Sequence, residues 1–202
     1  MKIFFSTSSP YVRKCMAVAH ELGIADRIEK LPNAAHAINR DANIVKSNPT
    51  GQVPTFFCGD GTVLFDSVVI CEYLDATFGG KLFPKSGRER WARLTEHAAA
   101  DGILGAALLA RYEATLRPET LRWPDWSSSQ LKKIRSGVEW VEGIAESLPD
   151  RVDIGTLAIG CALGYLDFRF SDMNWRSQAP KAADWFAGFS QRAAMTATAP
   201  RG

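Results

Sequence analysis

No stretch of this chain approaches the ~18 consecutive apolar residues of a membrane-spanning helix, so no transmembrane segment is expected. The apolar part of the opening MKIFFSTSSPYVRK is also too short for the core of a secretory signal. Cysteine is sparse: Cys15, Cys58, Cys71 and Cys161 are widely spaced, with no CxxC pair. A reducing, cytoplasmic setting with buried thiols is therefore expected. Histidine is sparser still. His20, His36 and His97 lack metal-ligand spacing, so no metal site is expected. The balance of 24 basic against 22 acidic residues leaves a net charge of +2. That surplus is too small for nucleic acid to be the main partner. The basic pairs Arg13-Lys14 and Lys132-Lys133 are read as solvated helix faces.

What is present is a mixture ordinary for a folded chain, 46% hydrophobic and 23% charged, arranged in two halves of different pattern. In the first half Lys2 to Phe5 predicts a short strand, and Ser9-Pro10 then opens a helix. Serine is a favoured N-cap, proline suits the first helical position, and Gly23 stands where the helix should stop. Between them Val12, Cys15, Ala19 and Leu22 form one apolar stripe. A second strand follows around Arg27 to Leu31, and residues 38–46 allow a short helix.

The stretch NPTGQVPTFFCGDGTVLFDS is the most informative. Pro49, Thr50 and Gly51 mark a turn. Val53 to Cys58 and Thr62 to Phe65 form a hairpin across Gly59-Asp60-Gly61. Asp66-Ser67 then starts a helix that carries Val68, Ile70, Cys71 and Leu74 and ends near Phe78. The order β-α-β-α-β-β-α is that of an α/β thioredoxin-like domain over residues 1–79, its parallel strands joined by a crossover helix. Residues 80–87 read as a linker, rich in Gly and Pro. Beyond it lies an all-α domain over 88–202, with helices from Arg88 to about Leu116, Ser127 to about Leu148 with serines at its head, Asp153 to about Phe168, and Ala179 to about Ala193.

Taken together, the Ser9-Pro10-Tyr11 helix start, the Asn48-Pro49 to Val53-Pro54 strand entry, the Asp66-Ser67 helix start and the helical second half resemble the glutathione transferases. The resemblance spans essentially the whole chain. Lys133 to Arg135 and Ala162 to Arg169 resemble bacterial members of that family. The fold it implies is the glutathione transferase fold, and the activity is conjugation of glutathione, as cosubstrate, to a small electrophile. No metal is implied.

Residue by residue, the resemblance makes Val53-Pro54 the cis pair whose Val53 amide and carbonyl meet the cysteinyl unit of glutathione as another strand would. It places Asp66 and Ser67 at the γ-glutamyl end, where a helix N-terminus suits a carboxylate and an acid suits an ammonium. Ser9 would sit beside the glutathione sulfur as a donor to the thiolate, with Ser8 and Thr7 as alternatives. Lowering a thiol pKa from about 8.5 by about 2 units is worth roughly 2.7 kcal/mol. Gln52, Arg40 and Lys46 are candidates for the glycine carboxylate.

Phe4 and Phe5 lack the hydroxyl of tyrosine-type transferases. The SPYV stretch resembles a glutaredoxin CPYC motif with both cysteines replaced, and the SSC motif of maleylacetoacetate isomerases is absent. Cys15, on the apolar stripe, is read as core. Tyr11, Leu108 and Tyr112 are substrate-side candidates by position.

In DIGTLAIG the family's capping pair is reversed: Asp153 suits the cap, but Thr156 is not expected to supply the usual reciprocal carboxylate. A homodimer is expected from the family and from two apolar faces on the long helix. Trp91, Leu94, Ala98, Leu104 and Leu108 form one, and Ala99, Ala100, Ile103 and Ala107 the other. Asp101 is either a solvated acid or a group near the partner's γ-glutamyl site. Two other readings stay open: a non-catalytic interaction or stress-response protein of the same fold, and a glutathione-dependent peroxidase or thiol reductase.

Overall fold

Strand β1 (Lys2–Phe4) is the hinge of the first unit, pairing with a neighbour on each side. In the computed structural model, which describes residues 1–201, it lies parallel to β2 (Glu29–Leu31) and antiparallel to β3 (Phe56–Phe57). Strand β4 (Val63–Leu64) then pairs antiparallel with β3, giving the order β2-β1-β3-β4. Helix α1 (Pro10–Glu21) makes the crossover from β1 to β2, and α2 (Ala42–Val45) and α3 (Ser67–Thr77) complete the thioredoxin-like order. The strands are shorter than the sequence suggests. In particular, residues 25–27 form a 3-10 turn ahead of β2.

Each boundary has a chemical cause. Ser9 caps α1 by accepting the Val12 amide, and Gly23 ends it at φ +67°, a conformation costly for any residue with a Cβ. Asp60 accepts the Thr62 amide at 2.9 Å and so shapes the β3–β4 turn. Asp41 caps α2 and also accepts the Ala34 amide at 2.7 Å; these amides hold its carboxyl below the usual carboxylate range. The buried side chains of Ile3, Val12, Met16, Ile44, Phe56, Ile70 and Leu74 make the core.

The chain divides by contacts into Met1–Pro84 with the segment from Ala193, and Lys85–Arg192. The C-terminal segment, which the sequence assigns to the helical half, thus belongs with the first unit. Its helix α9 (Ala193–Ala197) packs on α1. Arg13 donates to the Met195 carbonyl at 3.2 Å and is buried, and Lys14 is 0% exposed. The reading of Arg13-Lys14 as a solvated face is therefore corrected. The carbonyl that receives Arg13 lies 182 residues away, beyond the reach of local periodicity.

In the helical unit, α4 (Gly87–Thr115) packs against α5 (Pro124–Ile144) and α6 (Ile154–Arg169). Helix α5 begins at Pro124, ahead of the serines taken as its head, and Glu113 of α4 accepts the Trp123 amide at 2.8 Å. A short helix α7 (Trp175–Gln178), unforeseen in the sequence, precedes α8 (Pro180–Phe189).

Helix α6 is apolar on all sides and is the centre of this unit. Its reversed cap works after all. Asp153 accepts the Thr156 amide, and the Thr156 hydroxyl accepts the Asp153 amide, each at 3.0 Å. A hydroxyl has the lone pairs to replace the carboxylate. Arg93 and Arg151 each pair with both Glu96 and Asp153, closing a four-residue ionic cluster at this cap. Gly155 lets α4 come this close, because a Cβ there would collide with the Glu96 side chain. Among the described residues no helix is long and apolar enough to cross a membrane.

Candidate functional site

The strand register brings the sequence motifs together. β3 runs antiparallel to β1 with Ile3 opposite Phe56, so the residues ahead of β3, Val53-Pro54, lie at the end where β1 leads towards Ser9. The Phe4 amide donates to the Thr55 carbonyl at 3.0 Å, extending this register. β4 runs antiparallel to β3 with Phe56 opposite Leu64, which carries Asp66 and Ser67 to the same end. The Cys15 thiol, buried on α1, donates to the Ser67 carbonyl at 3.9 Å and ties the start of α3 to α1.

Three sets of polar groups at this end keep bonding capacity unused among the described residues. The Val53-Pro54 bond is cis, and neither the amide nor the carbonyl of half-buried Val53 makes a hydrogen bond within the described residues. Ser67 is 2% exposed, yet its hydroxyl has no partner among the described residues. Asp66 uses one carboxylate oxygen, Oδ1, to accept the Val68 amide at 3.0 Å, and its exposed side chain leaves the other oxygen free.

Ser9 accepts the Val12 amide at 3.3 Å through its hydroxyl oxygen, so its own proton remains to donate. Its neighbours are differently engaged: the Ser8 hydroxyl lies 3.4 Å from that of Ser6, and the Thr7 carbonyl accepts from the Arg201 amide at 3.3 Å.

A polar brace that the sequence reading missed fixes the approach to Val53. Buried Asn48 donates to the Gln52 carbonyl at 3.2 Å and to the Thr55 hydroxyl at 3.0 Å, and Thr55 also donates to the Gln52 carbonyl at 2.8 Å. The signal was visible: an asparagine before Pro49 whose amide could reach across the turn. The Gln52 side chain itself is exposed.

Arg40 donates to the Pro49 carbonyl and packs against Gly51. A Cβ on Gly51 would meet Arg40 Nε at 3.1 Å, and its φ of +68° already favours glycine. Lys46 instead reaches the Asn43 side chain at 3.4 Å. Tyr11 and Leu108 are half-buried and Tyr112 is 38% exposed; Leu108 and Tyr112 belong to the helical unit. Asp101 lies 3.4 Å from Nε2 of buried His97, so it is not simply a solvated acid.

Known proteins resemble this chain along its whole length. Residues 8–77 match the glutathione S-transferase N-terminal domain, and residues 107–188 match the C-terminal domain. The GST-like protein YibF of Escherichia coli K12 is 31% identical over 205 residues, covering 99% of this chain and 98% of its own. The chain belongs to the glutathione S-transferase family.

Solved structures of the family agree in fold. A glutathione transferase family member from Pseudomonas fluorescens Pf-5, with bound glutathione, superposes with a TM-score of 0.97 at 40% identity, over 100% of this chain and 99% of that one. Another structure from the same organism, 39% identical with a TM-score of 0.92 and full coverage of both chains, holds S-(propanoic acid)-glutathione. A glutathione S-transferase from Methylobacillus flagellatus KT with bound glutathione is 32% identical, with a TM-score of 0.89 and 99% of each chain covered. As in these transferases, a thioredoxin-like domain here precedes an all-helical one.

Proposed function

We propose that this family member is a working glutathione transferase, which binds glutathione at the shared sheet end and conjugates it to a small electrophile. The observation that carries the reading is the set of unpartnered groups at Val53, Asp66 and Ser67, beside a serine with a free hydroxyl proton. Their spread suits a short extended peptide with an ammonium and a carboxylate together at one end, and glutathione is such a peptide. The Val53 amide and carbonyl pair with the cysteinyl unit as a neighbouring strand would. The free amides at the start of α3 and the Ser67 hydroxyl receive the γ-glutamyl carboxylate, and Asp66 receives its ammonium. Gln52 and Arg40 serve the glycine carboxylate. The two Pseudomonas fluorescens ligands support this assignment: one is glutathione and the other an S-substituted glutathione, the kind of molecule that conjugation produces.

Ser9 donates its hydroxyl proton to the glutathione sulfur and, with the N-terminus of α1, stabilises the thiolate. The sulfur then forms a bond to the electrophilic carbon. The displaced group leaves with its electron pair or, at an activated double bond, the adjacent carbon takes a proton from water. The working species is a homodimer, its contact including exposed Trp91.

Calorimetric titration with glutathione, followed by turnover of aryl halides, activated alkenes and hydroperoxides, tests the proposal. Absence of binding overturns it. Turnover of hydroperoxides alone would reassign the same thiolate to peroxidase chemistry.

A further inference from the structure

The C-terminal segment meets the first unit on both sides of Ser9. Before the serine, the Arg201 amide donates to the Thr7 carbonyl at 3.3 Å. After it, the Arg13 amide donates to the Ser9 carbonyl at 3.0 Å, and the Arg13 side chain donates through Nη2 to the Met195 carbonyl at 3.2 Å. Thr7, Ser9, Arg13, Met195 and Arg201 thus lie on one closed ring of chain and hydrogen bonds, all within a single unit. Packing closes the ring as well. Helix α9 has only five residues, too few to be stable alone, and it lies against α1 with Ala194 and Met195 buried.

Two observations give this ring a role beyond closing the fold. The first is that the turn's own bonds are long. The Ser9 amide donates to the Ser6 carbonyl at 3.4 Å and the Ser9 hydroxyl accepts the Val12 amide at 3.3 Å, both beyond the usual range of about 2.7–3.2 Å. The second is that Arg13 is an unfavourable way to fill buried space. It is 7% exposed, and its Nε and Nη1 are shielded from solvent with no hydrogen-bond partner. An apolar side chain of similar length would bury there without leaving polar nitrogens unpaired. What the guanidinium alone supplies is the bond to the Met195 carbonyl, a fixed link one turn past Ser9.

We infer that the C-terminal segment, residues 193–201, is a positioning element for Ser9, acting through the Arg13 guanidinium and the Arg201 amide. The inference rests on the reading of Ser9 as the donor to the glutathione sulfur. No contact with the ligand is assigned to Arg13 or Arg201; each restrains the backbone that carries the Ser9 hydroxyl. A hydrogen bond weakens steeply with distance and angle, so the donor serves the thiolate only while it is held in place. With the ring opened, the turn relaxes along its long bonds and the thiolate is less stabilised.

The test uses the full chain with glutathione bound. The ultraviolet absorbance of the thiolate is followed against pH, and kcat against pH is recorded with 1-chloro-2,4-dinitrobenzene. R201P removes the amide donor and R201A keeps it. R13M removes the guanidinium and R13K returns a cationic donor. R201P and R13M should each raise the thiol pKa by about half a unit or more, which below that pKa is roughly a threefold loss of kcat, recovered at alkaline pH. R201A should titrate with the parent, and R13K should lie closer to it than R13M. In an S9A background neither R201P nor R13M should add a further shift. Arg201 is exposed and outside every helix and strand, so R201P leaves the core intact and decides the matter even where R13M does not fold. An unchanged thiol pKa in both folded variants, or in R201P alone where R13M does not fold, overturns the inference. So does a shift that persists in full in the S9A background, or one that R201A reproduces. S9A by itself separates the two readings. If it leaves the thiol pKa where it was, the Ser9 assignment falls and the positioning role with it; if it raises the pKa and the ring variants do not, only the positioning role falls.

Discussion

Thr156 and Asp153 cap α6 by exchanging amide hydrogen bonds, each at 3.0 Å, in a site where Thr156 is fully buried. Thr156→Val keeps the shape and removes the hydroxyl, leaving the Asp153 amide unpaired. Urea unfolding should show a loss of about 1–2 kcal/mol. Asp153→Ala should cost more, because Arg93 and Arg151 lose a partner as well. Equal losses in the two variants would mean that the ionic cluster contributes nothing at this cap.

Ser9→Ala should shift the pH–rate profile to higher pH and slow conjugation at neutral pH, with glutathione affinity little changed. The lost cap should cost about 1 kcal/mol of stability, read separately by thermal unfolding. An unchanged profile would transfer the role to Ser8 or Thr7.

Asp66→Ala and Ser67→Ala should each weaken glutathione binding by about 1.5–3 kcal/mol, measured by calorimetry. Turnover at saturating glutathione should fall less, since these groups serve the end of the ligand remote from sulfur. A fall in kcat with unchanged affinity would refute the anchoring role.

Glu113 carries an acid-side dependence of stability. The Trp123 amide, then Arg117, hold its carboxyl below the usual glutamate range. Its folded pKa is depressed, so its stabilising contribution is complete above the ordinary glutamate value and disappears as pH falls through the lowered one. The stability gap between the parent and Glu113→Gln should therefore narrow as the pH drops across that window. A gap constant with pH, followed by chemical denaturation, would contradict the assignment.

Trp91 on α4 is 66% exposed, while Ala100, Ile103 and Ala107 on another face of the helix are buried. The proposed dimer covers the exposed face, giving a particle of about twice 22.2 kDa by light scattering. Trp91→Glu should shift the chain towards monomer. A parent that is monomeric at micromolar concentration with glutathione binding intact would remove the dimer, and with it the proposal that Asp101 serves a partner's γ-glutamyl site.

The elements legible in the sequence were those with local chemical boundaries. Ser9-Pro10, Asp66-Ser67 and the Gly59-Asp60-Gly61 turn each announce themselves within a few residues, and the structure places all three where expected. The start of α5 was not legible, because Ser127 to Ser129 look like caps while the Trp123 amide is met by Glu113 from another helix. Arg13 misled for the same reason, its carbonyl partner lying 182 residues further along. At the candidate site the motif residues were named from the sequence, but the Asn48–Thr55 brace depends on a pairing that only folding creates.

The segment from Ala193 gives the first unit an unusual order of completion. Arg13 leaves the ribosome 182 residues ahead of Met195, whose carbonyl receives it. The sheet and its helices can collapse first, yet the packing of α9 on α1 must wait until the intervening helical unit has been made. The half of the molecule that is translated first is thus the half that is sealed last, and nascent chains stalled short of Ala193 would carry an exposed, unfinished α1.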